Sequence, residues 1–361
     1  MKVKNKIWIV FVSMIFMACT HDIKNETVPV EFINFGSTKK VDIEELLCDT
    51  LTDYILLKNT NKNQLFGRID KIKLCNDRIY IADTRMRSLV VYGKNGVGIA
   101  KVGTVGQGPR ELLSITDFDV DSLGNIYVLD GRLDKLLIYD NNFVCVKEKK
   151  LPFEADILKV LGDSQILFGL SSWNKGKAAG TKIVITNDTF EIDHEYFEYT
   201  DAVDPAYWIS GYRFGESDVY IAYNQTVCND VYVFNSVGDL KKIFRFDFDD
   251  ENVLDDDKIN IENKLLNYDK YTMLKNILTV TDKYIIGFLW EHRKTRMFIL
   301  DYVLNICYLG KVISDYDRRI GCGFCRDGLI SYMDSDNELY PDTVNAHLRN
   351  EGVVLKIQSV K

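Results

Sequence analysis

The run Ile79-Tyr80-Ile81-Ala82-Asp83 is followed by Leu89-Val90-Val91-Tyr92. Both parts return 47 residues on (79 to 126, and 89 to 136) as Ile126-Tyr127-Val128-Leu129-Asp130 and Leu136-Leu137-Ile138-Tyr139. Short runs of β-branched, aliphatic and aromatic residues read as strands. A constant offset means that a strand pair has been copied along the chain. Gly93-Lys94-Asn95-Gly96 supplies the glycine-bounded turn that follows the second run. A period in the forties with four strands per copy is the mark of a propeller.

Weaker copies continue in step. Residues 166–170 and 183–185 form a third unit, 219–223 and 231–234 a fourth, 284–289 and 297–300 a fifth, and 329–333 with 353–357 a sixth. The outer strand missing from the sixth is supplied from residues 54–57, which ties the two ends of a ring together and leaves no free sheet edge. The expected fold is all-β: a six-bladed β-propeller of four-stranded blades over residues 41–361. Five or seven blades would require a different reading of the third and sixth copies, and a two-sheet sandwich does not explain the offset. Residues 249–276 interrupt the pattern, and their spaced apolar residues among charges predict a helical insertion between blades four and five.

The N-terminus carries a different signal. Lys2, Lys4 and Lys6 precede an apolar run over residues 7–18, broken only by Ser13. That run is shorter than the roughly 20 residues a membrane-spanning helix needs, and it suits an export signal. It ends Phe16-Met17-Ala18-Cys19, a small residue directly before cysteine. This resembles the bacterial lipoprotein signal, the lipobox, with Met17 as a departure from the usual pattern. The resemblance implies cleavage after residue 18 and acylation of Cys19. Residues 19–40 are expected to be a polar tether. The implied location is the cell envelope, on the periplasmic face or the outer surface of the outer membrane.

The lipobox, the repeat and Gly106-Gln107-Gly108-Pro109-Arg110-Glu111-Leu112 together resemble the six-bladed β-propeller lipoproteins of gut-type Gram-negative bacteria, relatives of the NHL-repeat propellers. Their hallmark is a Gly-x-Gly-Pro-Gly-Glu-aromatic turn after the first blade. Here Arg110 stands for the last glycine and Leu112 for the aromatic residue. The likeness runs from about residue 40 to the C-terminus and is closest over blades one and two. It implies fold and location rather than chemistry.

Motifs of specific chemistry are scarce. The glycine loop lacks the lysine and hydroxyl residue of a phosphate loop, and a strand rather than a helix follows it. Cys322 and Cys325 form the one close cysteine pair, with no second pair to complete a zinc site. The four histidines show no metal spacing. A net charge of −8 gives no reason to expect a nucleic-acid partner.

Two readings remain. In a propeller the loops from second to third strand and from one blade to the next emerge on one face. Here they carry Arg85, Arg87, Arg110, Arg132, Trp173, Trp290, His292 and Arg293. Arginine and tryptophan make binding hot spots, so this loop face is the expected site for a glycan, a peptide or an envelope protein, with no cofactor. An envelope scaffold is a variant of that reading. The alternative is an enzyme of the lactonase or lyase type. In it, Asp117 and Asp119 on the innermost strand of blade two would hold a central divalent metal such as calcium.

Overall fold

The computed structural model describes residues 28–162, 165–199, 214–225, 227–259, 269–313, 321–325, 328–350 and 352–360. Six sheets of four or five strands, antiparallel but for the fifth strands, are arranged as blades. Blade one is Lys71–Cys75, Arg78–Asp83, Ser88–Gly93 and Gly98–Val102. Blade two is Asp117–Val120, Ile126–Asp130, Lys135–Tyr139 and Cys145–Lys150. The copied runs are thus second and third strands, as the offset predicts.

Each blade is buried on both faces, which is why its middle strands read as continuous apolar runs. Six hydrophobic clusters occupy the six junctions between neighbours. Tyr80, Leu89, Phe118 and Leu137 join blade one to blade two. Leu129, Leu136, Phe168 and Val184 join two to three, and Ile157, Leu167, Tyr223 and Phe234 join three to four. Val233, Phe244, Leu274 and Phe298 pack four on five, and Ile286, Met297 and Leu329 pack five on six. The last cluster, with Leu57, Ile330 and Leu355 against Ile79 and Val90, returns to blade one. A sandwich has no such cycle.

Closure follows the expected route but with a longer strand. Leu47–Leu57 is the outer strand of blade six, antiparallel to Val353–Val360, with Val353 opposite Leu57. The tether expectation needs correction. Val30–Asn34 is a fifth strand on blade four, parallel to Leu240–Asp247, and Lys39–Asp42 is a fifth strand on blade five, parallel to Ile306–Ile313. Ile33 and Phe35 anchor the first of these in the blade four–five core. The leader and Cys19 lie outside the described residues.

The helical insertion is present where expected: Asp249–Glu251 and Asp255–Lys258 are helical, residues 260–268 lie outside the described residues, and Thr272–Val280 is already the innermost strand of blade five, so the insertion ends before residue 276. Val253, one of the spaced apolar residues, buries with Tyr271 and Met273 beside Val227 and Trp290. A second helix, Asp342–Arg349, sits between the second and third strands of blade six.

The glycine loop is a backbone device. Thr104–Val105 pairs with Glu111–Leu112, and the Gly108 amide donates to Glu111 Oε2 at 2.8 Å. A Cβ on Gly106 would lie 2.0 Å from that oxygen, so the folded carboxylate leaves no room there. Arg110 holds φ 59°, the left-handed region. This explains why the resembling family has glycine at that place. Arg110→Gly is therefore expected to stabilise the chain by about 0.5–1 kcal/mol, because the relieved strain exceeds the added chain entropy. A thermal melt that falls instead would contradict the strain account.

Candidate functional site

The inner strands of blades one to four meet in a buried ion network. Lys71 and Lys73 alternate with Ile72 on blade one, and Asp117 and Asp119 flank Phe118 on blade two. Period-two alternation sends both members of each pair to one side of the strand. Lys71 Nζ donates to Asp117 Oδ1 at 2.8 Å and to the Phe118 carbonyl at 2.7 Å. Lys73 pairs with Asp119 and lies 3.2 Å from Glu216 Oε2. Lys159, from blade three, is 3.1 Å from Asp119 Oδ2 and also pairs with Glu216 of blade four. Backbone amides complete the set. Leu158 N donates to Asp117 Oδ2 at 2.9 Å, and Val160 N to Asp119 Oδ2 at 2.8 Å.

Three lysines against three carboxylates leave the network neutral. Burial alone would raise the pKa of Asp119, but Lys159, Lys73 and Lys71 overcome it and hold the group well below the usual carboxylate range. Glu216 is held at about 2, its desolvation likewise outweighed by Lys159 and Lys73. Burial would lower the Lys73 pKa, yet Asp119 and Glu216 raise it. This ammonium is not a nucleophile in waiting.

These residues do not fit the alternative metal reading. Each of the four carboxylate oxygens of Asp117 and Asp119 already accepts from a lysine or an amide. Three ammonium groups stand where a cation would bring its charge. Among the described residues, no group of three or more His, Cys, Asp or Glu side chains could hold a metal ion. The lysines and Glu216 were missed from the sequence. The signal was there: Lys71 and Lys73 face Asp117 and Asp119 at a matching offset of 46, opposite charges at equivalent places of adjacent blades.

On the loop face the expected residues divide into two groups. Trp290 lies at the end of the second strand of blade five, half-buried against Val227, Val253, Tyr271 and Met273, with Lys275 Nζ 5.5 Å from its ring. His292 Nδ1 is 2.6 Å from the Asp269 carbonyl and its Nε2 is 3.3 Å from Glu251. Arg293 Nε lies 3.7 Å from Asp269. All three thus contact described residues of the crossing between blades four and five.

Arg85, Arg87, Arg132 and Trp173 are different. All are exposed, and among the described residues their side chains make no ion pair, side-chain hydrogen bond or ring contact. Two buried aspartates set the loops that carry them. Asp83 accepts from Gly67 N, Arg68 N and Met86 N, and its copy Asp130 accepts from Leu113 N, Ser114 N and Leu133 N. Each ties its own second-to-third-strand turn to the loop entering the blade. Arg110 is exposed, and its amide is taken by Glu148.

Charge is unevenly spread over this face. The described loops of blades one to three (58–70, 84–87, 103–116, 131–134, 151–154 and 171–180) hold nine lysines and arginines against four acids. Those of blades four to six (225 and 227–229, 248–259, 269–271, 292–293, 321–322 and 334–350) hold four against eleven. The cysteines add no chemistry. Cys75, Cys145, Cys228, Cys307 and Cys322 are free thiols, and burial pushes Cys307 and Cys322 up to about 12.

Solved structures share the fold. A protein of Bacteroides fragilis NCTC 9343 described as exported is similar with a TM-score of 0.70 at 17% identity, covering 91% of this chain and 99% of its own. A DUF4221-family protein of Bacteroides vulgatus gives 0.51 at 10% identity, with 87% and 98% covered. Virginiamycin B lyase from Staphylococcus aureus gives 0.47 at 12% identity, covering 84% and 99%. That likeness is too distant to carry an argument about chemistry. No protein of curated function matches the chain. The match that assigns it runs over residues 21–288: the chain belongs to DUF5128, a family of 6-bladed beta-propellers.

Proposed function

We propose that this propeller is a non-enzymatic binding module of the cell envelope, anchored through acylated Cys19. In this reading it engages an anionic ligand, from a glycan, a peptide or a partner protein, on the loop face over blades one to three. The observation that carries the reading is the set Arg85, Arg87 and Arg132, exposed and unpaired among the described residues, with Trp173 exposed on a loop of the same face. In the central network every lysine is neutralised by a carboxylate, whereas these arginines present unpaired charge to solvent, where an anionic partner could take it. Guanidinium forks suit carboxylates, and an indole face suits a sugar ring or an apolar side chain. The export-type leader, and the exported description of the B. fragilis neighbour, agree with an envelope location.

The test is binding of the mature chain to arrays of acidic glycans and acidic peptides, and to envelope extract. Arg132→Ala and Trp173→Ala are each expected to weaken retention about tenfold while the thermal melt stays in place. A folded wild type that retains nothing from any of the three sources ends this reading.

A further inference from the structure

The opposite face of the ring, built from the turns between first and second and between third and fourth strands, has its own character. We infer that this turn face rests on a zwitterionic lipid headgroup layer, with the arginine-bearing loop face directed away from the membrane. The inference rests on the acylation of Cys19 put forward above.

Strand direction carries the first part. Val30–Asn34 runs parallel to Leu240–Asp247, so its N-terminal end lies toward the turn at residues 236–239. The register is pinned there by the Ile243 amide, which donates to the Pro29 carbonyl at 3.0 Å. A chain arriving from Cys19 therefore joins blade four from the turn face. The nine steps from Cys19 to Val28 span at most about 32 Å. An anchor on so short a lead holds the turn face nearer the bilayer than the loop face.

Exposed apolar side chains carry the second part. Leu123 is 74% exposed, Val303 66% and Leu304 61%. Val144, Val219 and Val237 are exposed as well. Each sits at or beside the tip of a turn on this one face, in blades two, four and five. Exposed apolar residues are ordinary, and the loop face carries its own, Leu254 and Leu339 among them; those on the turn face differ in lying where the anchor leaves the ring, within reach of lipid. The charge on the same turns selects the lipid. Described turn residues include Asp77, Asp140, Asp218, Asp239 and Asp282, opposed by Lys94 and Lys283. An acidic surface gains nothing from anionic lipid, so the contact is apolar tips in a zwitterionic interface, which orients the ring while the acyl chains hold it at the membrane.

The test uses the mature acylated chain on phosphatidylcholine vesicles, with hydrogen exchange read by mass spectrometry. The reference is a Leu123→Asp, Val237→Asp, Val303→Asp, Leu304→Asp chain on the same vesicles. After correction for intrinsic rates, residues 121–125, 236–239 and 302–305 are expected to exchange at least threefold more slowly in the wild type. Residues 84–87 and 131–134 should exchange equally in both. Both chains sediment with the vesicles, because the acyl chains remain. Replacing half the lipid with phosphatidylglycerol should reduce the protection. Equal exchange at the turns in the two sedimenting chains overturns the inference, as does slowing at residues 84–87. Protection that persists in detergent and grows with protein concentration overturns it in favour of a second copy of the chain. Failure of the anchor is a separate result: Cys19 without acyl mass, and neither chain sedimenting.

Discussion

Lys73→Met is expected to unfold at pH 7 with about 3 kcal/mol less free energy than the wild type, read by chemical denaturation. Lys73 is 10% exposed at its side chain and Asp119 1%, so the lost ammonium leaves a buried carboxylate short of a partner. The cost of that exceeds any gain from the apolar replacement. The pH dependence identifies the cause. Asp119 and Glu216 both have folded pKa values below their ordinary ones. Their contribution to stability is present above the ordinary carboxylate range, near 4, and is lost as pH falls through about 2. In the variant these groups protonate more easily, so its deficit should shrink between pH 7 and pH 3. A deficit that stays constant over that range would assign the loss to packing and not to charge. Lys94→Met is the control. Its pair with Asp77 is 72% and 74% exposed, and such pairs contribute little.

Asp130→Ala should cost about 3 kcal/mol or more. Its Oδ2 accepts from Leu113 N at 2.6 Å and Ser114 N at 3.1 Å, and its Oδ1 from Ser114 Oγ at 2.6 Å, Arg132 N at 3.1 Å and Leu133 N at 3.3 Å. Alanine leaves this buried site with several unsatisfied donors, each costing about 1–3 kcal/mol. Asparagine keeps one acceptor oxygen and should recover about half. The same substitution frees the loop bearing Arg132, so ligand retention should fall with stability. Asp130→Ala melting within one degree of the wild type would show that water replaces the carboxylate, and the account of these loops would fail.

The ring was legible because its evidence is repetition. Two strands displaced by a fixed 47 residues cannot arise from propensity alone, and the apolar runs are long because blades bury both faces. The outer strands were not legible for the same reason. Val30–Asn34 and Lys39–Asp42 expose most of their side chains to solvent and join parallel edges without a turn to announce them. The helical reading of residues 249–276 held at its start, Asp255–Lys258, and ran too far at its end, where Thr272–Val280 is a strand whose apolar residues serve the blade core and a small satellite cluster. At the candidate site, topology predicted which loops share a face. It could not tell the arginines left free from Trp290, His292 and Arg293, which are held by a crossing whose path no periodicity reports.

The three N-terminal strands have a consequence for how the molecule is made. Val30–Asn34, Lys39–Asp42 and Leu47–Leu57 are synthesised before any blade core, yet their partners lie at Leu240–Asp247, Ile306–Ile313 and Val353–Val360. Blades one to three need no such wait, since each is complete within its own stretch of chain. Assembly is therefore expected to run as a growing half-ring open at both ends, followed by a slow closing step that waits for Val353–Val360. Loop-closure entropy over some 300 residues makes that step the kinetic bottleneck. A chain that stalls before it presents an unpaired blade edge to its neighbours, the form in which this fold is most exposed to aggregation.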